Sequence, residues 1–132
     1  MIAEETVGGE SVRDHRKLDA FRLADELALA IYTATREFPQ EERYSLAIQM
    51  RRAAVSVASN IVEGAARDTQ AEYARFLNIA FSSSKELGYQ ISLAARLKYL
   101  DPAAAEILTS QCDETSRVLY GLYRAHHPKN PQ

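Results

Sequence analysis

Between Leu18 and Ala125, apolar side chains return every three or four positions in four long stretches, and proline, glycine and capping pairs fall almost entirely between them. A period near 3.6 places such residues on one face of a helix, whereas a half-buried strand needs strict alternation. Runs of β-branched residues are absent, and nothing reads as a strand. The links between stretches are short, which leaves antiparallel neighbours as the available packing. The chain is therefore expected to be all-α. The expectation is an antiparallel four-helix bundle over residues 18–125, with a flexible N-terminal arm at 1–17 and a flexible C-terminal tail at 126–132.

Punctuation sets the expected boundaries. Asp19 is expected to cap the first helix, with Leu18 and Leu23 placed to close a hydrophobic staple. Phe21, Ala24, Leu27, Ala28, Ile31, Thr35 and Phe38 form its core stripe. Pro39 ends it, because the residue before a proline is pushed out of helical geometry. A second helix is expected from about Gln40 to Ala66, with Glu41 and Glu42 at its positive end. Its buried face carries Leu46, Ala47, Met50, Ala53, Ala54, Val57, Ile61 and Ala65. Thr69-Gln70-Ala71-Glu72 has the capping-box pattern and opens the third helix. Asp101-Pro102, a capping carboxylate with proline at the first helical position, opens the fourth. That helix is expected to carry Ile107, Leu108, Thr115, Leu119 and Leu122 on its apolar face and fades near His126-His127-Pro128.

Length and charge narrow the class. At 132 residues the chain suits one domain, and 46% hydrophobic with 26% charged residues is a globular composition. No apolar run approaches the roughly 20 residues that a membrane span needs, so no membrane partner is expected. Residues 1–17 carry seven charges and no apolar core of a secretory signal, and Cys112 has no second cysteine to pair with. These features fit a cytoplasmic protein. A net charge of −2 advertises no global affinity for nucleic acid.

The segment from Arg51 to Gly64 is the most unusual. At 100° per residue, Arg52, Ser56, Ser59, Asn60 and Glu63 share a sector of about 100° opposite the core stripe. Serine and asparagine compete with the helix for backbone hydrogen bonds, so a purely solvated face would favour lysine, glutamate and glutamine. Short polar side chains instead suit the close approach of another helix and hydrogen bonds to it. A structural or interface role is expected for this stripe.

The same segment carries a resemblance. Tyr32, Phe38-Pro39, Glu42-Arg43-Tyr44, Leu46 and the run from Gln49 to Gly64 resemble the signature of the four helix bundle protein family, also known as the 23S rRNA intervening-sequence proteins. Glu72 to Ala80 and Glu86-Leu87 match its pattern further on, so the likeness spans about residues 17–123. Ser82, where a glycine is common, and Gly88, where a larger residue is usual, depart from it. The resemblance implies a bundle assembled into a homopentamer with no established activity. It also implies kinship with an accessory protein of diversity-generating retroelements, a basic pentameric barrel that binds nucleic acid. RNA or DNA is accordingly an expected partner. Its candidate contacts are Arg43, Arg51, Arg52 and Arg67, which with Glu63 make residues 43–67 locally +3. A protein-partner adaptor or scaffold without nucleic acid is the alternative.

Catalysis is not expected, nor is any metal, cofactor or small-molecule substrate. His15 lies in the arm, and His126-His127 are adjacent, so they diverge on a helix instead of forming a spaced ligand pair. No Glu-x-x-His occurs, which removes the di-iron site of helical bundles. Ser56 and Ser59 lack a nearby histidine to activate them, and the charges of Asp113 and Glu114 should blunt the Cys112 thiol. The seven tyrosines are expected to serve as core edges and interface anchors.

Assembly is motivated by spacing as well as by likeness. Ile48, Val55 and Val62 are seven apart, so they drift by only about 20° per step and form a line along the second helix. That line lies away from the core stripe and would face water in a lone bundle. A soluble protein with such a line is expected to cover it with an oligomer interface.

Overall fold

Two helix starts are built from side chains with the expected capping chemistry. The Thr69 hydroxyl accepts the Glu72 N–H at 3.1 Å, and the Asp101 carboxylate accepts the Ala104 N–H at 2.8 Å with Pro102 following it. The computed structural model describes residues 4–7, 10–15, 18–42 and 44–127. Its helices are α1 (Asp19–Thr35), α2 (Leu46–Ala65), α3 (Gln70–Arg96) and α4 (Pro102–His126). Each helix packs on its sequence neighbour and α1 closes on α4, giving an up-down-up-down bundle.

The boundaries differ from expectation where the chain reverses. α1 ends at Thr35, three residues before Phe38, and a 3-10 turn at Gln40–Glu42 precedes α2, which begins only at Leu46. Antiparallel neighbours need a turn between them, and it falls between Thr35 and Leu46 while Phe38 drops into the core at 3% exposure. Asp19 is the first residue of α1 and makes no side-chain cap; Leu18 holds the cap position with extended backbone. α3 ends in a Schellman turn with Lys98 at φ 68°, where Tyr99 N–H bonds Ala94 O and Lys98 N–H bonds Ala95 O. Glycine usually takes that position, so composition gave no sign of it.

The N-terminal segment corrects the expectation that no strand forms. β1 (Glu4–Val7) pairs antiparallel with β2 (Glu10–Arg13), with Glu4 opposite Arg13 and Val7 opposite Glu10. Two glycines separate the strands in sequence, the composition that two-residue hairpins favour. Four-residue strands are too short to leave an alternation signal. Arg13 ties the hairpin to the bundle. Its guanidinium donates to Arg67 O at 2.9 Å and to Gln70 Oε1 at 3.4 Å and lies 4.1 Å from the centre of the Tyr73 ring. At the other end, α4 includes His126, one residue past the expected bundle limit, and that ring meets Tyr73 edge-on at 4.9 Å. Residues 1–3, 8–9, 16–17 and 128–132 of the expected arm and tail lie outside the described residues.

The core has two apolar ends and a polar waist. Leu27, Ile31, Met50, Leu87, Ile91 and Leu108 belong to one cluster, and Val57, Ile61, Tyr73, Leu77 and Leu119 to the other. Between them Ser84 and Ser116 share a hydroxyl–hydroxyl bond of 2.8 Å, and the Cys112 thiol donates to Ser84 O at 3.2 Å. Every one of these buried polar groups is partnered, so the waist avoids the cost of stranding a donor or acceptor.

Glycine marks the tightest helix contact. A Cβ on Gly64 would stand 2.9 Å from Phe76 Cβ and 3.3 Å from Tyr73 O, whereas one on Gly121 would meet nothing within 4 Å. Gly64→Val should therefore cost about 1–3 kcal/mol by overpacking the α2–α3 seam. Gly121→Ala should instead add about 0.5–1 kcal/mol through helix propensity. Urea unfolding of the two variants beside the parent checks both signs.

Candidate functional site

α2 buries its inward side and leaves a broad outward face. Met50, Ala54, Val57 and Ile61 are fully buried, while Arg52, Val55, Ser59 and Glu63 are exposed and Ile48, Ser56, Asn60 and Val62 are half-buried. Tyr32, Ile48, Arg51, Arg52, Val55, Ser56 and Ser59 line one open groove along it. Tyr44, Ile48, Arg51 and Arg36 line the next depression toward the α1–α2 turn. Tyr32 at 41%, Tyr44 at 86% and Val55 at 44% exposure make the lining of these grooves partly apolar and open to water, and Leu29 of α1 is 66% exposed. The line of Ile48, Val55 and Val62 thus joins a wider apolar surface to which α1 and the turn contribute. Leu29 was missed because one exposed leucine carries no periodic signal.

The polar stripe divides by neighbour. Ser56 faces α3, where its hydroxyl meets that of Ser83 at 2.8 Å. Asn60 Nδ2 donates to Ser56 O at 2.8 Å and to Ser56 Oγ at 3.0 Å, so the two act as one bonded unit on the seam. Ser59 reaches only Ser56 O at 3.5 Å and stands exposed. Glu63 pairs with Arg67 one turn on at 3.6 Å, a surface contact of small worth. Ser83 had no signal in the sequence, because it lies among three consecutive serines that look alike until a helix face is assigned.

The arginines are not brought together as one patch. Arg51 turns toward α1: Nε donates to Thr35 Oγ1 at 2.8 Å, Nη2 donates to Tyr32 O at 3.2 Å, and the guanidinium lies 4.6 Å from the Tyr32 ring centre. It satisfies carbonyl-end groups of α1 and complements that helix's negative pole. Arg52, one position on, makes no ion pair or hydrogen bond among the described residues. Arg67 lies beyond the far end of α2, about 22 Å along the axis from Arg52 at 1.5 Å per residue, with its guanidinium over Phe76. Arg43 lies outside the described residues.

Burial is the main cause that pushes the Cys112 thiol up to about 11, with Asp113 second. Glu114 has no part in that shift, so the sequence had the direction but only part of the cause. Among the described residues no group of three His, Cys, Asp or Glu could hold a metal, and no helix is long and apolar enough to cross a membrane.

Two outcomes follow from this geometry. Arg51→Ala should cost about 1–3 kcal/mol because it strands partly buried acceptors, and Arg52→Ala should stay within about 0.5 kcal/mol, both read by thermal or urea unfolding. The raised thiol keeps its proton in the folded state after the unfolded chain, near the ordinary value of 9.0, has released it. Its stability contribution is therefore present below about pH 8.5 and lost as pH climbs toward 11. Cys112→Ala should flatten that part of the stability–pH curve, and the parent's thiol should react with maleimide only once unfolded.

The comparisons agree with this architecture. A protein of unknown function from the S23 ribosomal protein family of Bacteroides thetaiotaomicron superposes with a TM-score of 0.74 at 22% identity, over 80% of this chain and 95% of that one. At that identity the likeness shows the fold alone. No curated protein matches the chain. The model of the 23S rRNA-intervening sequence protein family matches residues 16–121, which takes in all of α1, α2 and α3 and most of α4, and the chain belongs to that family.

Proposed function

We propose that the protein is a non-enzymatic scaffold that works as an assembly of its own copies, joined through the outward face of α1 and α2. The observation that carries this reading is the pair of adjoining grooves in which exposed Tyr32, Tyr44 and Val55 stand around half-buried Ile48. Each lone exposed apolar residue is ordinary, but a contiguous face of this kind is the mark of a binding surface. The interior is filled and its polar waist is internally bonded, which leaves the surface as the place where function resides. The number of copies, five in a closed ring, comes from the resemblance noted in the sequence.

Contact with RNA or DNA through Arg43, Arg51, Arg52 and Arg67 finds less support. Phosphate binding needs several free cations on one surface. Arg51 is engaged with α1, and Arg67 lies at the opposite end of α2 with Glu63 beside it.

Light scattering coupled to gel filtration tests the reading. The parent chain should elute as a multiple of its 14.8 kDa mass. Val55→Glu should shift it to the monomer with helical circular dichroism unchanged, since the side chain is exposed in the single chain. A monomeric parent overturns the reading and leaves the face to a different protein partner. Labelled single-stranded or duplex nucleic acid should show no salt-dependent gel shift with the assembled protein.

A further inference from the structure

Between α3 and α4, on the side of the bundle opposite the α1–α2 face, runs a groove of about 620 Å³ whose two ends differ in chemistry. With Ser84 against Ser116, the antiparallel register sets Lys85 toward Asp113 and Phe81 beside Tyr120. Lys85, Asp113 and Arg117 make the charged end. None of the three has an ion pair or hydrogen bond among the described residues, although Asp113 and Arg117 are four apart, the spacing at which opposite charges meet on a helix. Besides its burial, the Cys112 thiol feels Asp113, which pushes it up, and Lys85, which pulls it down, so both charges stand near one sulfur. Phe81 and Tyr120 wall the other end with ring centres 5.1 Å apart, and Tyr120 is 42% exposed. Beside that wall a Cβ on Gly121 would meet nothing within 4 Å. Glycine inside a helix is unfavourable and no packing asks for it here, so its effect is to leave space open along the rings. Asp113 and Arg117 also border a depression with Glu106 and Glu114, but that one has neither an aromatic wall nor a lysine.

We infer that this groove binds a free aromatic α-amino acid, with its carboxylate on Lys85 and Arg117, its ammonium on Asp113 and its ring beside Phe81 and Tyr120 over Gly121. The three charges select the head group. Two cations and one carboxylate match a carboxylate and an ammonium carried on the same carbon. A phosphate ester would bring up to two negative charges against Asp113, a simple acid would leave Asp113 without a donor, and a simple amine would leave both cations without an acceptor. Length selects the rest: from Asp113 to Gly121 the groove runs about 12 Å at 1.5 Å per residue, which takes the head, a methylene and a ring. A flat ring also gains offset or edge contacts with Phe81 and Tyr120 that a branched aliphatic side chain does not. The volume falls among those of small-molecule sites, about 300–1,000 Å³. Because the groove and the α1–α2 face are on opposite sides, the ligand and a neighbouring copy do not compete, and the inference stands whether or not the chain self-associates.

Tryptophan is a direct probe, because the chain contains none and the ligand's own fluorescence reports its binding to the full chain. The free amino acid should bind with a Kd of about 0.1–1 mM, as befits an open groove. Tryptamine, which lacks the carboxylate, and indolepropionate, which lacks the ammonium, should each bind at least about fivefold more weakly, and leucine should not displace tryptophan. Asp113→Asn should erase the preference for tryptophan over indolepropionate. Lys85→Ala and Arg117→Ala should weaken both of those ligands and leave tryptamine unchanged. Gly121→Leu should fill the space at the rings and abolish binding, with helicity and thermal stability retained as evidence that the fold is intact. A parent that does not bind tryptophan at several times the expected Kd overturns the inference. So does a Gly121→Leu variant that binds as the parent does, or an Asp113→Asn variant that keeps the preference. A nucleoside monophosphate that binds as tightly as tryptophan overturns the zwitterionic assignment.

Discussion

The closeness of α2 to α3 governs the rest of the bundle. Alanine, serine and glycine line that seam, and at Gly64 the helices approach until even a methyl group would press on Phe76. Helices this near exchange side-chain hydrogen bonds as well as dispersion contacts, which is why Ser56 and Ser83 can meet at 2.8 Å. The large core side chains come from all four helices, with α2 supplying Met50, Val57 and Ile61. They gather at the two ends of the bundle, and the serine waist of α3 and α4 separates them.

A helix packed so tightly on one side has more of its circumference left over on the other. Four helices in a square give each an inner sector and an outer one, and α2 fills the outer one with isoleucine, valine and arginine where lysine and glutamate would be expected for solubility. Arg51 holds the rim of that surface in place by bonding the end of α1, so the tyrosine beneath it is fixed as part of the groove.

Much of this was legible before any coordinates. Most of the core stripes, the caps at Thr69 and Asp101 and the exposure of Val55 follow from period and local chemistry, whereas Ile107, expected among the apolar positions of the fourth helix, stands 61% exposed. The turn between α1 and α2 was not legible, because Glu41 and Glu42 suit a helix start in any context and only the need to bury Phe38 while reversing direction breaks the helix there. The hairpin was hidden by its brevity. Lys98 in the left-handed region was hidden because a Schellman turn imposes that conformation on whichever residue falls there.

The sequence by itself determined that helices form, which faces they bury and that one apolar line is left over, since periodicity and capping depend on neighbours within a few residues. It could not distinguish Arg51 from Arg52. Adjacent residues on a helix point about 100° apart, and whether that rotation meets the end of another helix or open water depends on how the helices are placed in space. Only the tertiary structure decided that one arginine is a strut while the other, among the described residues, makes no bond. It also decided that Tyr32, distant in sequence from Ile48 and Val55, lines the same groove, because that proximity exists only once α1 has been turned back against α2.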